Sequence, residues 1–598
     1  FLDRGAQTGR FFQALERNYL AIVAAYRIAV MSFAVYHYTV GLQEPAATAD
    51  STAAMASSEL EVLPNSIAVL RFLNLDGSER TTIFSDGLSE DVLDRLAMVP
   101  GLLVSSRGDA WSLPPNAPSR LVRQRLRVAH FVEGSVRSDG DTLRIVVQLI
   151  DSERGFHVIS RSFERDLADF MGLQREVTSL IVANLRIALP EDSLAMLVAD
   201  TEAADVDAYV LYRRGVDLLH QPDTQATLQG AIDFFDQALE IDSAYPAAHA
   251  GLCQAYVQSF VLASDTRFIE PAEGACSAAL AVNSKLDMVY VALGDLYRRT
   301  GRRDDCVTAY ERALATNPNS VPAMRGLAYA YEHRGRLDEA ESMLTEAIRL
   351  QPGNWQSLNA LGGFLFAHGR YDEAARAYGA ILELDPDNWQ GLGNLGGALL
   401  MTGDFENAAK ALQRSIEFEP DLSNLTNLAT VYYYLGRFDE SVTIHRESVA
   451  SFPTSEVGWM NLADSLLFSS DADEATDAYR MAAELSEKKL ALDPENTRTL
   501  CRAAWAETML GDAAKADQFM QRALQLAPNK PYVHYYSALL RTRSGDFDAA
   551  LDALSVALVN GYPRAMLIAE PLLADLHDEG RYLTLINTQP NEFRHQEG

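Results

Sequence analysis

Small and apolar residues recur with a 34-residue period through the second half of the chain. Asp287–Ser320 places Leu293, Gly294, Tyr297, Gly301, Ala313 and Pro318. Val321–Asn354 repeats the set as Leu327, Ala328, Tyr331, Gly335, Ala340, Ala347 and Pro352, and Trp355–Asn388 as Leu361, Gly362, Leu365, Gly369, Ala374, Ile381 and Pro386. Each unit predicts two helices. Gly and Ala recur where they approach too closely for larger side chains, and Pro breaks the second helix before the next unit begins. Two looser units precede these. Ala208–Ser243 carries Gly215, Ala231, Phe235 and Ala238; Pro246–Leu286 carries Leu252, Tyr256, Ala272 and Ala279, with an insertion between its helices. A unit running from 389 to about 421, then Leu422–Ser455, Glu456–Asn496 with a longer second helix, Thr497–Lys530 and Pro531–Asn560 continue the series. Leu567–Leu585 reads as one closing helix over the last apolar face.

Ahead of the repeats the periodicity changes. The apolar run Ser66–Phe72 predicts a buried strand, Phe84–Val99 a helix with Asp86 or Ser89 as cap, Gly101–Ser106 a short strand and Arg120–Arg127 a basic helix. His130–Arg137 and Thr142–Ile150 flank Asp139-Gly140, a hairpin signal. Phe156–Phe163 is a further strand and Leu167–Leu189 an amphipathic helix, so the segment reads as α+β. The acidic group Asp86, Glu90 and Asp91 is expected to open its helix, where carboxylates favour the positive end of the dipole. Arg120, Arg123, Arg125 and Arg127 form the one dense basic patch, read as a solvated helix face or a contact for an anionic partner or lipid headgroup.

Tyr19–Gly41 is mostly apolar over 23 residues. As a helix it reaches roughly 34 Å, enough to cross a bilayer core of roughly 30 Å. Arg4, Arg10 and Arg17 lie upstream, and no Lys or Arg follows until Arg71. That asymmetry puts the N-terminus in the cytoplasm and the remainder outside it. Arg27 interrupts the span: it snorkels to the cytoplasmic face, meets a partner helix in the membrane, or marks a buried amphipathic helix. The alanines at 46–49 and 53–56 leave a cleaved signal peptide as the alternative, although the apolar stretch is long for one. Residues 42–64, rich in Ala, Ser and Thr, read as a linker.

The formal net charge of −31 argues against nucleic acid, which needs a basic face. Only Lys285, Lys410, Lys488, Lys489, Lys515 and Lys530 are lysines, a bias that points to a GC-rich, bacterial genome. Four cysteines, Cys253, Cys276, Cys306 and Cys501, form no metal-binding spacing. Cys253 and Cys276 fall on facing helices, as a disulfide or as small buried thiols. No nucleophile–base pair, metal set or phosphate loop is legible, so no enzyme and no cofactor are expected.

The repeated units resemble the tetratricopeptide repeat, a stack of helix pairs wound into a superhelix that binds protein partners. Ser66–Leu70, Phe84–Asp91, Pro100–Leu102, Phe131–Arg137, Gln148–Asp151 and Arg165–Asp169 resemble the TolB amino-terminal-like domain that precedes such arrays in bacterial proteins. Phe11–Asn18 and Ala24–Tyr26 resemble the anchor of the same proteins. That resemblance implies either a bare anchor or a cytosolic winged-helix or nucleotide cyclase domain ahead of it.

The expected architecture is thus an α-solenoid, a tetratricopeptide superhelix, with a small α+β domain and one N-terminal transmembrane helix. Its parts are a cytoplasmic N-terminus (1–18), a transmembrane helix (19–41), the linker (42–64), a TolB amino-terminal-like domain (65–190), about ten repeats (205–563) and a capping region (564–598). The resemblance implies that first helices line the concave surface, where Asn394, Asn427 and Asn461 occupy one slot in successive units. Such a ladder of amides suits the backbone of an extended peptide, beside Phe366, Leu400, Met401, Tyr433, Tyr434, Leu467 and Phe468; the other reading that the resemblance implies is a consensus asparagine of the repeat. Packing between repeats is the other reading of these hydrophobes. No cluster of Lys and Arg resembles a carboxylate clamp. The sequence therefore predicts a non-enzymatic scaffold, assembly factor or accessory subunit of a membrane complex. It would sit in a bacterial inner membrane with its bulk in the periplasm, touching lipid and, at Arg27, an integral-membrane partner. The sensor half of a transmembrane regulator or cyclase is the rival.

Overall fold

The computed structural model describes residues 62–97, 99, 101–140, 142–166, 169–185, 205–221, 224–419 and 421–588. Segments 1–18 and 19–41, Arg27, and most of the 42–64 linker lie outside the described residues. Among the described residues no helix is long and apolar enough to cross a membrane.

The first strand begins at Leu63, inside the predicted linker. Leu63–Val69 (β1) is the heart of a mixed sheet, and Ile67, Ala68, Val69 and the adjoining Leu70 are completely buried. An unbroken apolar run is what a strand covered on both faces requires. β1 pairs in parallel with Leu103–Val104 (β3) and with Val128–Asp139 (β4); Leu73–Asn74 (β2) pairs with the far end of β4. Thr142–Asp151 (β5) and His157–Asp166 (β6) complete an antiparallel meander, giving the order β3-β1-β4-β5-β6. The predicted hairpin closes with Asp139 opposite Thr142 and Gly140 at φ +63°. Gly134 on β4 lies under the Phe72 ring, where an added Cβ would come within 2.6 Å of a ring carbon.

Helices Glu79–Ala97 (α1) and Phe170–Asn184 (α4) cover one face through Phe84, Leu88, Val92 and Phe170. Arg107–Trp111 (α2) and Ser119–Leu126 (α3) cover the other, packing around Ala68, Leu70, Phe131 and Ile150. The start of α1 corrects one expectation. Ser78 is the cap: its hydroxyl accepts from the Thr81 N–H at 3.2 Å, and its carbonyl accepts from Thr82 N. Asp86, Ser89, Glu90 and Asp91 therefore lie in the middle of a helix, away from its positive end.

Ten helix pairs follow among the described residues. The first two are Val206–Leu219 (α5) with Gln225–Ile241 (α6), and Pro246–Ala263 (α7) with Ile269–Val282 (α8), the insertion between α7 and α8 containing a short 3-10 turn at Thr266–Phe268. Asp287–Arg299 (α9), Arg303–Thr316 (α10), Val321–Glu332 (α11), Leu337–Leu350 (α12), Trp355–Ala367 (α13) and Tyr371–Leu384 (α14) are the regular units. Trp389–Thr402 (α15), Phe405–Phe418 (α16), Leu422–Tyr434 (α17) and Phe438–Ser451 (α18) continue them. Glu456–Leu466 (α19), the long Ala475–Leu492 (α20), Thr497–Leu510 (α21), Ala513–Leu526 (α22), Pro531–Arg543 (α23) and Phe547–Val559 (α24) close the array.

The small residues do what the period predicts. The Tyr310 ring of α10 is wedged between Gly294 of α9 and Gly326 of α11, and a Cβ at Gly326 would sit 2.2 Å from a ring carbon. One aromatic thus locks a pair and its neighbour together, the nearest-neighbour coupling that makes a solenoid cooperative.

The arginine bias has a structural use at the turns. In Arg336 and Arg370 the guanidinium grips a carboxylate three residues on with two donors, Glu339 and Glu373. Arg437 repeats the clip on Glu440, Arg302 divides its donors between Asp305 and Glu273, and Arg302, Arg336 and Arg437 stack over Tyr297, Tyr331 and Tyr432. A fork that binds two oxygens and lies flat on a ring is a guanidinium property that lysine lacks. These clips lie at solvent-exposed turns, where water and salt screen them, so they order the turns more than they stabilise the fold.

The predicted single closing helix is three pieces instead. Arg564–Ala569 (α25), a 3-10 stretch Pro571–Leu576 and Gly580–Asn587 (α26) replace it. Two of the pieces cap the end: the 3-10 stretch packs on α23, and α26 packs on α24, where Arg581 donates to Asp548 at 2.8 Å and to Asp552 at 2.6 Å. Helix α25 instead packs on α15, where Ala565 lies against Gly403.

Candidate functional site

The inner face of the array is built from its first helices, and the asparagine slot falls on three of them. Asn394 on α15 donates its amide to Asn359 Oδ1 on α13 at 2.7 Å, so two repeats are joined by an amide–amide bond. Asn427 on α17 and Asn461 on α19 keep their side-chain amides out of any hydrogen bond among the described residues, and both are partly exposed. In the next unit the slot holds Arg502, which turns to Glu456 Oε1 at 3.1 Å and ends the row.

The hydrophobes named with the ladder divide into two sets. Phe366 meets Tyr371 edge-on at 5.2 Å, and Phe468 is 38% exposed while it stacks on Phe438 at 5.1 Å. Leu400 is buried, whereas Met401 and Leu467 are partly exposed. Tyr433 and Tyr434 have a separate task that the sequence does not announce. Tyr433 donates its hydroxyl to Glu570 Oε1 at 2.7 Å, and Tyr434 donates to Oε2 at 3.2 Å. Tyr535 on α23 donates to Oε2 at 2.7 Å, and Leu572 N–H reaches Oε1 at 3.2 Å. Glu570 is only 1% exposed. Burial raises its carboxyl above the usual range, while the hydroxyl donors pull the other way. Close by, Asp464 Oδ1 accepts from Tyr479 at 2.6 Å and from the Trp505 indole N–H at 2.9 Å.

A second polar cluster joins the α+β domain to the first repeat. Tyr209 of α5 enters the sheet-side core beside Phe84 and Phe170, and its hydroxyl donates to Asp91 Oδ2 at 3.0 Å. Gln174 of α4 also donates to that oxygen. Arg213, 2% exposed, donates to Glu90 Oε2 at 2.5 Å, with Arg107 Nε 3.6 Å from the same oxygen. Burial opposes the charge on Glu90, but the Arg213 and Arg107 guanidiniums outweigh it and hold the carboxyl below its ordinary value. Gly87 completes the fit, since a Cβ there would lie 2.0 Å from the Tyr209 hydroxyl. Asp86 pairs with Arg71 through both oxygens. The acidic motif is therefore a joint between domains. Its signal in the sequence is a glycine among carboxylates in mid-helix, a pattern suited to close approach by another helix.

The domain also touches later repeats along their loops. Asn319 donates to the carbonyls of Ala97 and Val99 at 3.3 and 3.4 Å, and Arg125 of the basic patch reaches Leu384 O at 3.3 Å. Cys253 and Cys276 are bonded across α7 and α8, so of the two readings the structure takes the disulfide. Cys306 and Cys501 are free and buried.

A stack of helix hairpins with a residue-lined inner face defines an α-solenoid with a small N-terminal α/β region. Its units are tetratricopeptide repeats: residues 291–354, 360–422 and 423–451 match that family's models. A Rhizobium meliloti (strain 1021) protein that bears an adenylate cyclase name is 33% identical over 197 residues, 33% of this chain. The chain spans about a third of that relative's length, the match covering 33% of it. Among solved structures, a thermophilic repeat protein of Thermus thermophilus is 22% identical, covering 32% of this chain and 99% of its own, with a TM-score of 0.29. PilF of Pseudomonas aeruginosa is 17% identical over 37% of this chain and 97% of its own (TM-score 0.31). Human IFIT1, solved with PPP-AAAA, is 15% identical over 60% and 84% (TM-score 0.35).

Proposed function

We propose that the chain is a non-enzymatic scaffold, anchored in a membrane through 19–41, that holds an extended protein partner along the inner face of its repeats. The observation that carries this reading is the pair of unengaged amides at Asn427 and Asn461, aligned with Asn394 on neighbouring helices. An asparagine amide presents N–H donors and a carbonyl acceptor side by side, the complement of a peptide unit, and a row spaced by repeats meets an extended backbone at intervals. Because Asn427 and Asn461 hold nothing inside the described chain, replacing them is expected to leave stability within about 0.5 kcal/mol. Proteins co-purifying with the native chain in mild detergent are then compared by quantitative mass spectrometry with those held by an Asn427→Ala, Asn461→Ala variant. A stoichiometric companion should fall at least several-fold in the variant. Equal recovery from both chains would refute the amide row as the binding surface.

The reading of 65–190 as a TolB amino-terminal-like domain is supported by its quoted segments and by a mixed sheet with helices on both faces. Placement of the bulk of the chain outside the cytoplasm is supported by the Cys253–Cys276 bond, since structural disulfides persist in oxidising compartments. Alkylation of freshly denatured protein from its native cells is expected to label Cys306 and Cys501 at once and the other two only after reduction. Four labelled thiols without reductant would contradict that placement.

The cyclase-named relative favours a second reading, the sensor half of a transmembrane regulator. An output domain encoded in the same reading frame, with activity that follows partner binding to the repeats, would establish it over the plain scaffold.

A further inference from the structure

The segment from Tyr562 to Leu576 does more than finish the solenoid. Capping is met by α26 on α24 and by the 3-10 stretch on α23, yet α25 and Glu570 reach back to α15 and α17, several repeats earlier in the sequence. No shielding of the last helix pair requires that reach. At its centre Glu570 is enclosed by hydroxyls from α17 and α23. Tyr562 stacks on Tyr535 at 4.6 Å with a 14° interplanar angle, and Leu567, Leu573 and Leu576 are completely buried. Gly403, at φ +88°, leaves room for Ala565; a Cβ there would lie 2.5 Å from the Ala565 Cβ.

Two properties make this segment resemble a bound peptide. It has little structure of its own to sustain it, since α25 and the 3-10 stretch are six residues each, far below the length at which an isolated helix holds in water. The groove also stays partly wet: Tyr434, Tyr535 and Tyr562 keep part of their surfaces in solvent. Its recognition chemistry is distinctive as well. The groups that meet Glu570 are all neutral donors, so the carboxylate is read by hydroxyls and a backbone N–H without a cation among the described residues.

We infer that the tyrosine-lined groove between α15, α17 and α23 is a carboxylate-reading peptide site, occupied by the chain's own Tyr562–Leu576 segment. A partner enters it by displacing that segment with a glutamate followed by an apolar run, as in Glu570-Pro571-Leu572-Leu573. This rests on the scaffold reading and adds to it the partner's chemistry and a self-occupied state.

The test is a fluorescence-anisotropy titration of a labelled synthetic peptide of residues 561–578 against the full chain and a Glu570→Ala full chain. The variant, its own segment weakened, is expected to bind the peptide at least about tenfold more tightly than the unaltered chain. A peptide carrying the same Glu570→Ala change should lose that affinity, and salt should move it little. Equal affinity of both chains, or binding of both peptides alike, overturns the inference. Should Glu570→Ala fail to fold by circular dichroism, a Tyr433→Phe, Tyr535→Phe full chain replaces it. It keeps the apolar groove and removes two carboxylate donors, so hydrogen exchange should show α25 opening at least about tenfold faster; unchanged protection overturns the inference. A chain that fails these tests yet keeps a stoichiometric companion on purification leaves the scaffold reading standing and this one refuted.

Discussion

Arg213→Met is expected to loosen the joint between the α+β domain and the first repeat, at a cost of about 3 kcal/mol. Arg213 is 2% exposed and its guanidinium sits 2.5 Å from Glu90 Oε2. Breaking a buried ion pair by removing one partner typically costs about 3–5 kcal/mol, because the remaining charge is left in a poorly solvating place. The low end applies here, since Arg107 Nε still lies 3.6 Å from the same carboxylate. Methionine fills much of the volume, so the loss is electrostatic more than steric. Hydrogen exchange should show faster opening of α1 and α5 together, while α9 to α18 keep their protection. Adding Glu90→Gln to the same chain should restore part of the stability, because the buried carboxylate that lost its closest partner is then gone. If the single variant opens no faster, the cluster is not what holds the two parts together.

Trp505→Ala should be the most damaging single truncation within the repeats, at about 4 kcal/mol. The indole is 1% exposed, and its N–H is bonded to Asp464. Deleting a buried tryptophan side chain costs about 3–5 kcal/mol through lost transfer and the cavity left behind. The higher part of that range applies because a hydrogen bond to a carboxylate goes too. A solenoid transmits damage mainly to its neighbours, so α19 to α24 should lose exchange protection while α9 to α14 change little. Trp505→Phe, which keeps most of the volume but not the donor, should recover more than half of the loss. An unfolding curve that shifts as a whole, with every repeat equally affected, would contradict nearest-neighbour coupling.

Much of this architecture is legible because it is local. The 34-residue spacing, the hairpin at Asp139-Gly140 and the buried run Ile67–Leu70 depend on contiguous residues, and the elements form where those residues predict them. Tyr310 between Gly294 and Gly326 is the same logic in three dimensions. The true start of α1 is local too, yet easily passed over. Ser78, with its hydroxyl turned to Thr81 N, is a cap signal of the ordinary kind, outweighed by the more conspicuous acids downstream.

Other features are invisible for a different reason. Tyr433 and Glu570 are separated by 137 positions, and Arg213 and Glu90 by 123. No periodicity relates such pairs. Whether they meet depends on curvature accumulated over several repeats and on how one domain docks upon another. The sequence by itself determined the repeats, the sheet elements and the asparagine slot, because side-chain spacing along a helix or strand is fixed by backbone geometry. Only the tertiary structure decided that an acidic mid-helix motif becomes a domain joint. It alone turned Tyr433 and Tyr434 toward the chain's own C-terminal segment, because burying a carboxylate requires several donors to converge from distant helices, and convergence is a property of the assembled superhelix.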